Sequence, residues 1–180
     1  NINLIGLTFI NCKDSSSAIS MGGSGSGSLG VYNCTFANNT GTYNIIKSGV
    51  RTVINGCTFI GNTAPGSGSA NFYGIICAAA SGSFELTNNI FLNNILTRGK
   101  SIIDNERSAT LNAKDNYWGS NDGLSKDSYY GKVDASSWTA LVTSINNTDV
   151  CVGDKATITT QFKSTADGKT FTDLSGAMPN

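Results

Sequence analysis

One phrase recurs five times and leaves the chain few folds to adopt: Gly6-Leu7-Thr8-Phe9, Asn33-Cys34-Thr35-Phe36, Gly56-Cys57-Thr58-Phe59, Asn88-Asn89-Ile90-Phe91 and Asp115-Asn116-Tyr117-Trp118. Its aromatic positions step by 27, 23, 32 and 27 residues, an irregular period of the size of one solenoid coil, with the irregularity left to loops. Three positions before the aromatic stand Gly6, Asn33, Gly56, Asn88 and Asp115. These residue types accept a positive φ at least cost, so the column predicts a left-handed corner. Three positions after it stand Cys12, Asn39, Asn62, Asn94 and Asn121, predicted to stack as an amide ladder from rung to rung. The columns two before the aromatic (Leu7, Cys34, Cys57, Asn89, Asn116) and five before it (Leu4, Val31, Ile54, Leu86, Ala113) are both expected to point inward, because the corner between them resets the period-two alternation. Ala18-Ile19, Ile45-Ile46, Ile75-Ile76 and Ile102-Ile103 mark another strand in each coil.

These columns predict an all-β chain whose residues 1–125 form a parallel β-helix. Phe9, Phe36, Phe59, Phe91 and Trp118 form its core stack, Asn33, Asn88 and Asp115 its corners, and Asn39, Asn62 and Asn94 its ladder. Gly22 to Ser28 and Thr63 to Ala70 read as Gly/Ser-rich bulges at a coil edge, where insertion costs little. The bulky Asp115-Asn116-Tyr117-Trp118-Gly119 and the turn after it read as a cap over the exposed end of the core. Residues 126–136 are expected to be a linker. Residues 137–180 carry two strand-like runs, Trp138 to Ile145 and Lys155 to Phe162, and an Asp167-Gly168 turn. They predict the start of an Ig-like β-sandwich, which needs about 100 residues when complete.

Composition narrows function by exclusion. Twelve basic and twelve acidic residues cancel and histidine is absent, so no long-range field draws the chain to nucleic acid or anionic lipid. The longest apolar run, Tyr73 to Ala80, is too short to cross a bilayer as a helix, and direct membrane insertion is not expected of this segment. Residue 1 sits inside a strand-like pattern with no charged leader, so the chain reads as an excerpt. Five cysteines without CxxC spacing and without a histidine suggest neither a metal site nor a cofactor. Cys34 and Cys57 lie one rung apart, as stacked thiols or as a disulfide. Asp104, in a column with Ser20, Lys47 and Cys77, reads as a solvated surface charge, Asp115 as a corner residue, and Asp122 and Asp127 as turn acids lacking a Ca²⁺-loop spacing. Arg98, Lys100 and Arg107 are placed to meet an acidic sugar or, more simply, water. Asn38 and Asn146 head N-x-T triplets and are the candidate glycosylation positions. Tyr129 and Tyr130 form the aromatic patch best placed to stack on a sugar or, more simply, to pack beneath the C-terminal module. No residue set declares itself catalytic or ligand-binding.

Asn33 to Asn39 (NCTFANN), Cys57 to Asn62, Asn89 to Asn94 and Asn116 to Gly119 (NYWG) resemble the repeats of archaeal adhesin-like surface proteins of methanogens, the Methanobrevibacter type. Val133 to Trp138 and Val152 to Thr159 are similar to that family's continuation into a short Ig-like repeat. The resemblance implies a right-handed, single-stranded, pectate-lyase-like parallel β-helix. It implies an extracellular, cell-surface location and a non-catalytic scaffold displaying a binding surface for glycans or partner cells. Two other functions fit the same coil. One is a carbohydrate-active enzyme, a polysaccharide lyase or hydrolase, with its site outside this excerpt; the other is a purely structural surface spacer.

Overall fold

The structure, a computed structural model, describes residues 1–14, 16–23, 26–65, 74–79, 82–96 and 101–179. Arg98, Lys100 and parts of the 22–28 and 63–70 bulges lie outside the described residues. The first coil contains β1 (Ile2–Ile5), β2 (Thr8–Ile10), β3 (Lys13–Asp14) and β4 (Ser17–Met21). The second contains β5 (Ser28–Tyr32), β6 (Thr35–Ala37), β7 (Thr40–Gly41) and β8 (Asn44–Ser48). The third contains β9 (Arg51–Asn55), β10 (Thr58–Ile60), β11 (Thr63–Ala64) and β12 (Gly74–Ala78). The fourth contains β13 (Phe84–Thr87), β14 (Ile90–Leu92), β15 (Ile95–Leu96) and β16 (Ser101–Asn105). After them come β17 (Leu111–Asn112), β18 (Tyr129–Tyr130) and β19 (Val133–Asp134), then β20 (Trp138–Ile145) and β21 (Ile158–Thr165).

Each strand from β1 to β19 pairs in parallel with its counterpart one coil away, giving a β-solenoid of about four turns. Sheet A runs β1-β5-β9-β13-β17-β19, sheet B β2-β6-β10-β14, sheet C β3-β7-β11-β15 and sheet D β4-β8-β12-β16-β18. The registers keep like residues over one another. Sheet A aligns Leu4, Val31, Ile54 and Leu86, sheet B aligns Phe9, Phe36, Phe59 and Phe91, and sheet D aligns Ile19, Ile46, Ile76 and Ile103. The rings of Phe9, Phe36, Phe59 and Phe91 stack at 4.8 Å with interplanar angles of 1°, 3° and 5°, and Trp118 closes the column at 4.9 Å. That spacing is the rung repeat itself, so no ring departs from the backbone period to pack.

The corner column is left-handed throughout: Gly6, Asn33, Gly56, Asn88 and Asp115 have φ between 52° and 67°. Gly56 has a second reason to be glycine, because a Cβ there would collide with the Asn33 side chain lying over it. A second left-handed corner stands two residues after each phenylalanine of the stack, at Asn11, Asn38, Gly61 and Asn93 (φ 51° to 63°). Between this corner and sheet D lies the two-residue sheet C, where Gly41 is buried against the Asn44 carbonyl with no room for a Cβ.

Asn39, Asn62 and Asn94 form a continuous ladder. Asn39 and Asn62 each donate both their backbone N–H and their Nδ2 to the Oδ1 of the next asparagine, at 3.0 to 3.1 Å. The Nδ2 groups of Asn39, Asn62 and Asn94 also donate to the carbonyls of Phe9, Phe36 and Phe59. Asn121, expected to continue this column, leaves it: its amide pairs with the backbone of Leu141 instead. The column two before the aromatic forms a second ladder. Asn89 donates to Asn116 Oδ1, Cys57 N–H donates to Asn89 Oδ1, and Cys34 N–H donates to Cys57 Sγ at 3.4 Å. The sulfur of Cys57 takes the place of an asparagine oxygen. Leu7, in the same column but on the first coil, is 43% exposed.

The parallel ladders do not stop near residue 125. β18 pairs with β16 and β19 with β17, both inside the stretch expected to be a linker. Tyr129 and Tyr130 therefore extend sheet D instead of lying under the C-terminal module. That module is an antiparallel ribbon, β20 with β21, followed by a turn at Asp167-Gly168 and an isolated bridge from Ser164 to Thr172. It leans on the last coil. Ser137 and Ser164 hydroxyls donate to Asp115 Oδ1, Trp138 Nε1 donates to the Asn121 carbonyl, and the Phe162 ring meets Tyr117 at 5.2 Å.

Candidate functional site

The repeated polar residues build the rod. Asn39, Asn62, Asn89 and Asn116 are fully buried, and their amides bond to neighbouring rungs, so none presents itself to a ligand. Asn33 and Asn88 sit at left-handed corners, Asn33 with its Oδ1 over Gly56. Asp115, also a corner, adds the contacts to the ribbon. Of the triplet asparagines, Asn38 is exposed at the second corner with its Oδ1 over Gly61, and Asn146 is exposed with its Oδ1 accepting the Thr157 N–H at 2.8 Å. Cys34 and Cys57 are free thiols whose Sγ atoms donate to backbone carbonyls at 3.3 to 3.5 Å. Burial pushes the Cys57 thiol up to about 12, which removes it as a nucleophile at neutral pH.

Chemistry on the outer faces concentrates in two places. On sheet A the outward row in register is Asn3, Gly30, Val53, Glu85, Asn112 and Asp134. At its start, the side-chain-free backbone of Gly30 has the Tyr32 ring lying against it. Asn3, Ser28, Arg51 and Val53 complete a shallow cavity of about 160 Å³ there. At its far end Glu85 and Asp134 stand two rungs apart, roughly 9–10 Å along the axis. Asp134 is engaged: the Ser136 hydroxyl and the Lys114 ammonium, 3.1 Å away, hold its carboxyl below the usual range.

On sheet D the outward row is Ser20, Lys47, Cys77, Asp104 and Tyr130. Asp104, expected as a solvated charge, is fully buried, and neither carboxylate oxygen has a hydrogen-bond partner among the described residues. Glu106 supplies the second acid that the sequence columns do not provide. The ligand-capable atoms of Cys77, Asp104 and Glu106 lie within 4.8 Å of one another, and Cys77 Sγ donates to Glu106 Oε1 at 3.7 Å. Burial, with the Glu106 charge adding, pushes the Asp104 carboxyl up to about 7, against the lowering pull of Lys47 and the Cys77 thiol. Burial likewise pushes the Cys77 thiol well above its ordinary range, and the charges of Asp104 and Glu106 add to it. No periodic signal finds this group, because Glu106 lies beyond the end of its strand and recurs in no other coil.

Arg107, read as a solvated or sugar-facing charge, is half-buried, with Nε and Nη1 lacking partners among the described residues, and burial lowers its pKa. A further cavity of about 320 Å³ lies between the Asn33-Gly56 corner and the tail residues Ala177 to Pro179. Asp122 and Asp127 are exposed turn acids: the Asp122 N–H donates to Ser120 Oγ, and the Asp127 N–H donates to Ser125 Oγ. Among the described residues no helix is long and apolar enough to cross a membrane. Set against known proteins, the chain matches no family model, no curated protein and no solved structure.

Proposed function

We propose that this chain is a non-catalytic, extracellular display scaffold of the adhesin-like kind, a right-handed coil stack that holds a glycan-binding face away from a cell surface. The observation that carries the reading is the division of labour among polar residues. Those that repeat are tied into ladders and corners, and the outer face of sheet A offers a tyrosine lying on a glycine floor beside Asn3 and Arg51. A flat aromatic ring flanked by an amide and a guanidinium suits the apolar face and hydroxyl edge of a sugar. The ribbon at 137–180 is, on this reading, the opening of an Ig-like module that spaces the stack from its anchor. A glycan array tests it: binding without turnover that is lost in Tyr32→Ala, while the unfolding midpoint stays put, supports display. No binding to any glycan or cell would leave the spacer reading.

One observation favours an enzyme. Glu85 and Asp134 share a face two rungs apart, a backbone spacing of roughly 9–10 Å against the carboxyl separation of about 6.5–9.5 Å used by inverting glycosidases. The pairing of Asp134 with Lys114 weighs against it, since a general acid needs a raised pKa. Release of reducing ends from any uronic polysaccharide, abolished in Glu85→Gln, would replace the display reading.

A further inference from the structure

We propose that Cys77, Asp104 and Glu106 form a binding site for a thiophilic divalent cation, zinc being the best match, on the outer face of sheet D. Cys77 and Asp104 are register partners on β12 and β16, so their side chains leave the same face one rung apart. Glu106, two residues beyond Asp104, brings its carboxylate to the same place. Asp104 makes this more than an acidic cluster: it is 0% exposed, and neither oxygen accepts a hydrogen bond among the described residues. Folded proteins rarely leave a buried carboxylate so. The long contact from Cys77 Sγ to Glu106 Oε1 supplies the group's internal donor and leaves both Asp104 oxygens without a hydrogen bond among the described residues. A cation satisfies all three groups at once.

The donor set selects the ion. Mg²⁺ and Ca²⁺ take oxygen ligands, whereas one thiolate with two carboxylates suits zinc. Tetrahedral zinc with Zn–S about 2.3 Å and Zn–O about 2.1 Å needs donor separations of roughly 3.3–3.7 Å. The present 4.8 Å envelope must therefore close by about an ångström. Glu106 is exposed at the rim and can make that movement by side-chain rotation. Binding transfers the Cys77 thiol proton, and any proton held on Asp104, to solvent. Three anionic ligands around a doubly charged ion leave one negative charge, and Lys47, the register partner of Cys77 on β8, stands in the row to offset it. Three protein ligands leave a fourth position for water or an outside donor.

The test uses the full chain, reduced, with Cys12→Ser and Cys151→Ser so that the other accessible thiols are silent. Titration with Co²⁺ is expected to give a sulfur-to-cobalt charge-transfer band in the near ultraviolet that saturates at one equivalent and is displaced by Zn²⁺. Cys77→Ser should remove the band, and Asp104→Asn should weaken binding by at least about tenfold. Glu106→Gln should weaken it to a similar degree while leaving an exposed position that folding does not depend on. A Zn²⁺-dependent rise in unfolding temperature should appear in the parent and vanish in Glu106→Gln. No thiolate band in the folded parent, a band that survives Cys77→Ser, or unchanged affinity in Glu106→Gln would overturn the site.

Discussion

The coil stack and the C-terminal ribbon are both β-structure, yet they hold themselves together by different means. In the stack, every interior strand has a neighbour on each edge. Phe36, Phe59, Ile46, Ile54, Ile76, Leu86 and Ile103 are completely buried, each large side chain contributing roughly 1.5–3 kcal/mol. In the ribbon, β21 is exposed along its first half and Ile158 is 68% exposed. A two-stranded ribbon is marginal alone, and this one borrows support from Asp115, Asn121 and Tyr117 of the last coil. The contrast shows that parallel rungs stabilise one another through a shared interior, whereas the ribbon is stabilised at its root and left open at its tip.

The largest expected effect lies in the aromatic stack. Phe59→Ala should cost about 3–5 kcal/mol in urea unfolding, whereas Leu141→Ala on the ribbon, 39% exposed, should cost less than about 1 kcal/mol. Equal losses would erase the distinction between the two regions. Next comes the ladder. Asn62→Ala strands the N–H of Asn39 and the carbonyl of Phe36, and the loss should be about 2–3 kcal/mol, again by urea unfolding.

The two regions should also respond to pH with opposite signs. Asp104 in the stack has its pKa raised from 3.8 to about 7, so its native state binds the proton more tightly than the unfolded chain. In metal-free, chelated protein, stability is fully present below about pH 4 and declines as pH rises through about 7. Asp104→Asn should remove that decline, gaining on the order of 1–2 kcal/mol at pH 8 once screening is allowed for. Asp167 in the ribbon turn is lowered to about 2 by N–H donation from Thr170 and Lys169 and by the Thr170 hydroxyl. Its contribution is present above pH 4 and is lost as pH falls toward 2. Amide exchange at Lys169 and Thr170 should quicken only in acid, and no acid response there would remove the sign difference. Smallest is the second corner: Asn38→Ala should cost about 1–2 kcal/mol because φ is 54° there, while Asn38→Gly should be close to neutral.

What the sequence discloses follows from what repeats. The aromatic column, the first corner and the Asn39-Asn62-Asn94 ladder are legible because a residue type returns in every coil. The second corner was readable by the same rule, since Asn11, Asn38, Gly61 and Asn93 stand in one column, but its neighbours at Asn39 and Asn62 carry the stronger signal. Sheet C is hidden because two residues show no alternation. β18 and β19 are hidden because the cap interrupts the period before they rejoin the sheets. Asp104 misleads for another reason: strand alternation places its side chain outward, and burial there depends on what covers the sheet, which no periodicity encodes.

The central claim is that like residues lie over one another 23 to 32 positions apart, and proton NMR of the side-chain amides tests it most directly. The Asn62 Nδ2 protons should exchange slowly and show contacts to the Phe36 backbone and the Asn94 side chain, with ring contacts linking Phe36, Phe59 and Phe91. Asn62 amide protons exchanging at the rate of a free peptide, with no contact across those separations, would contradict the stack.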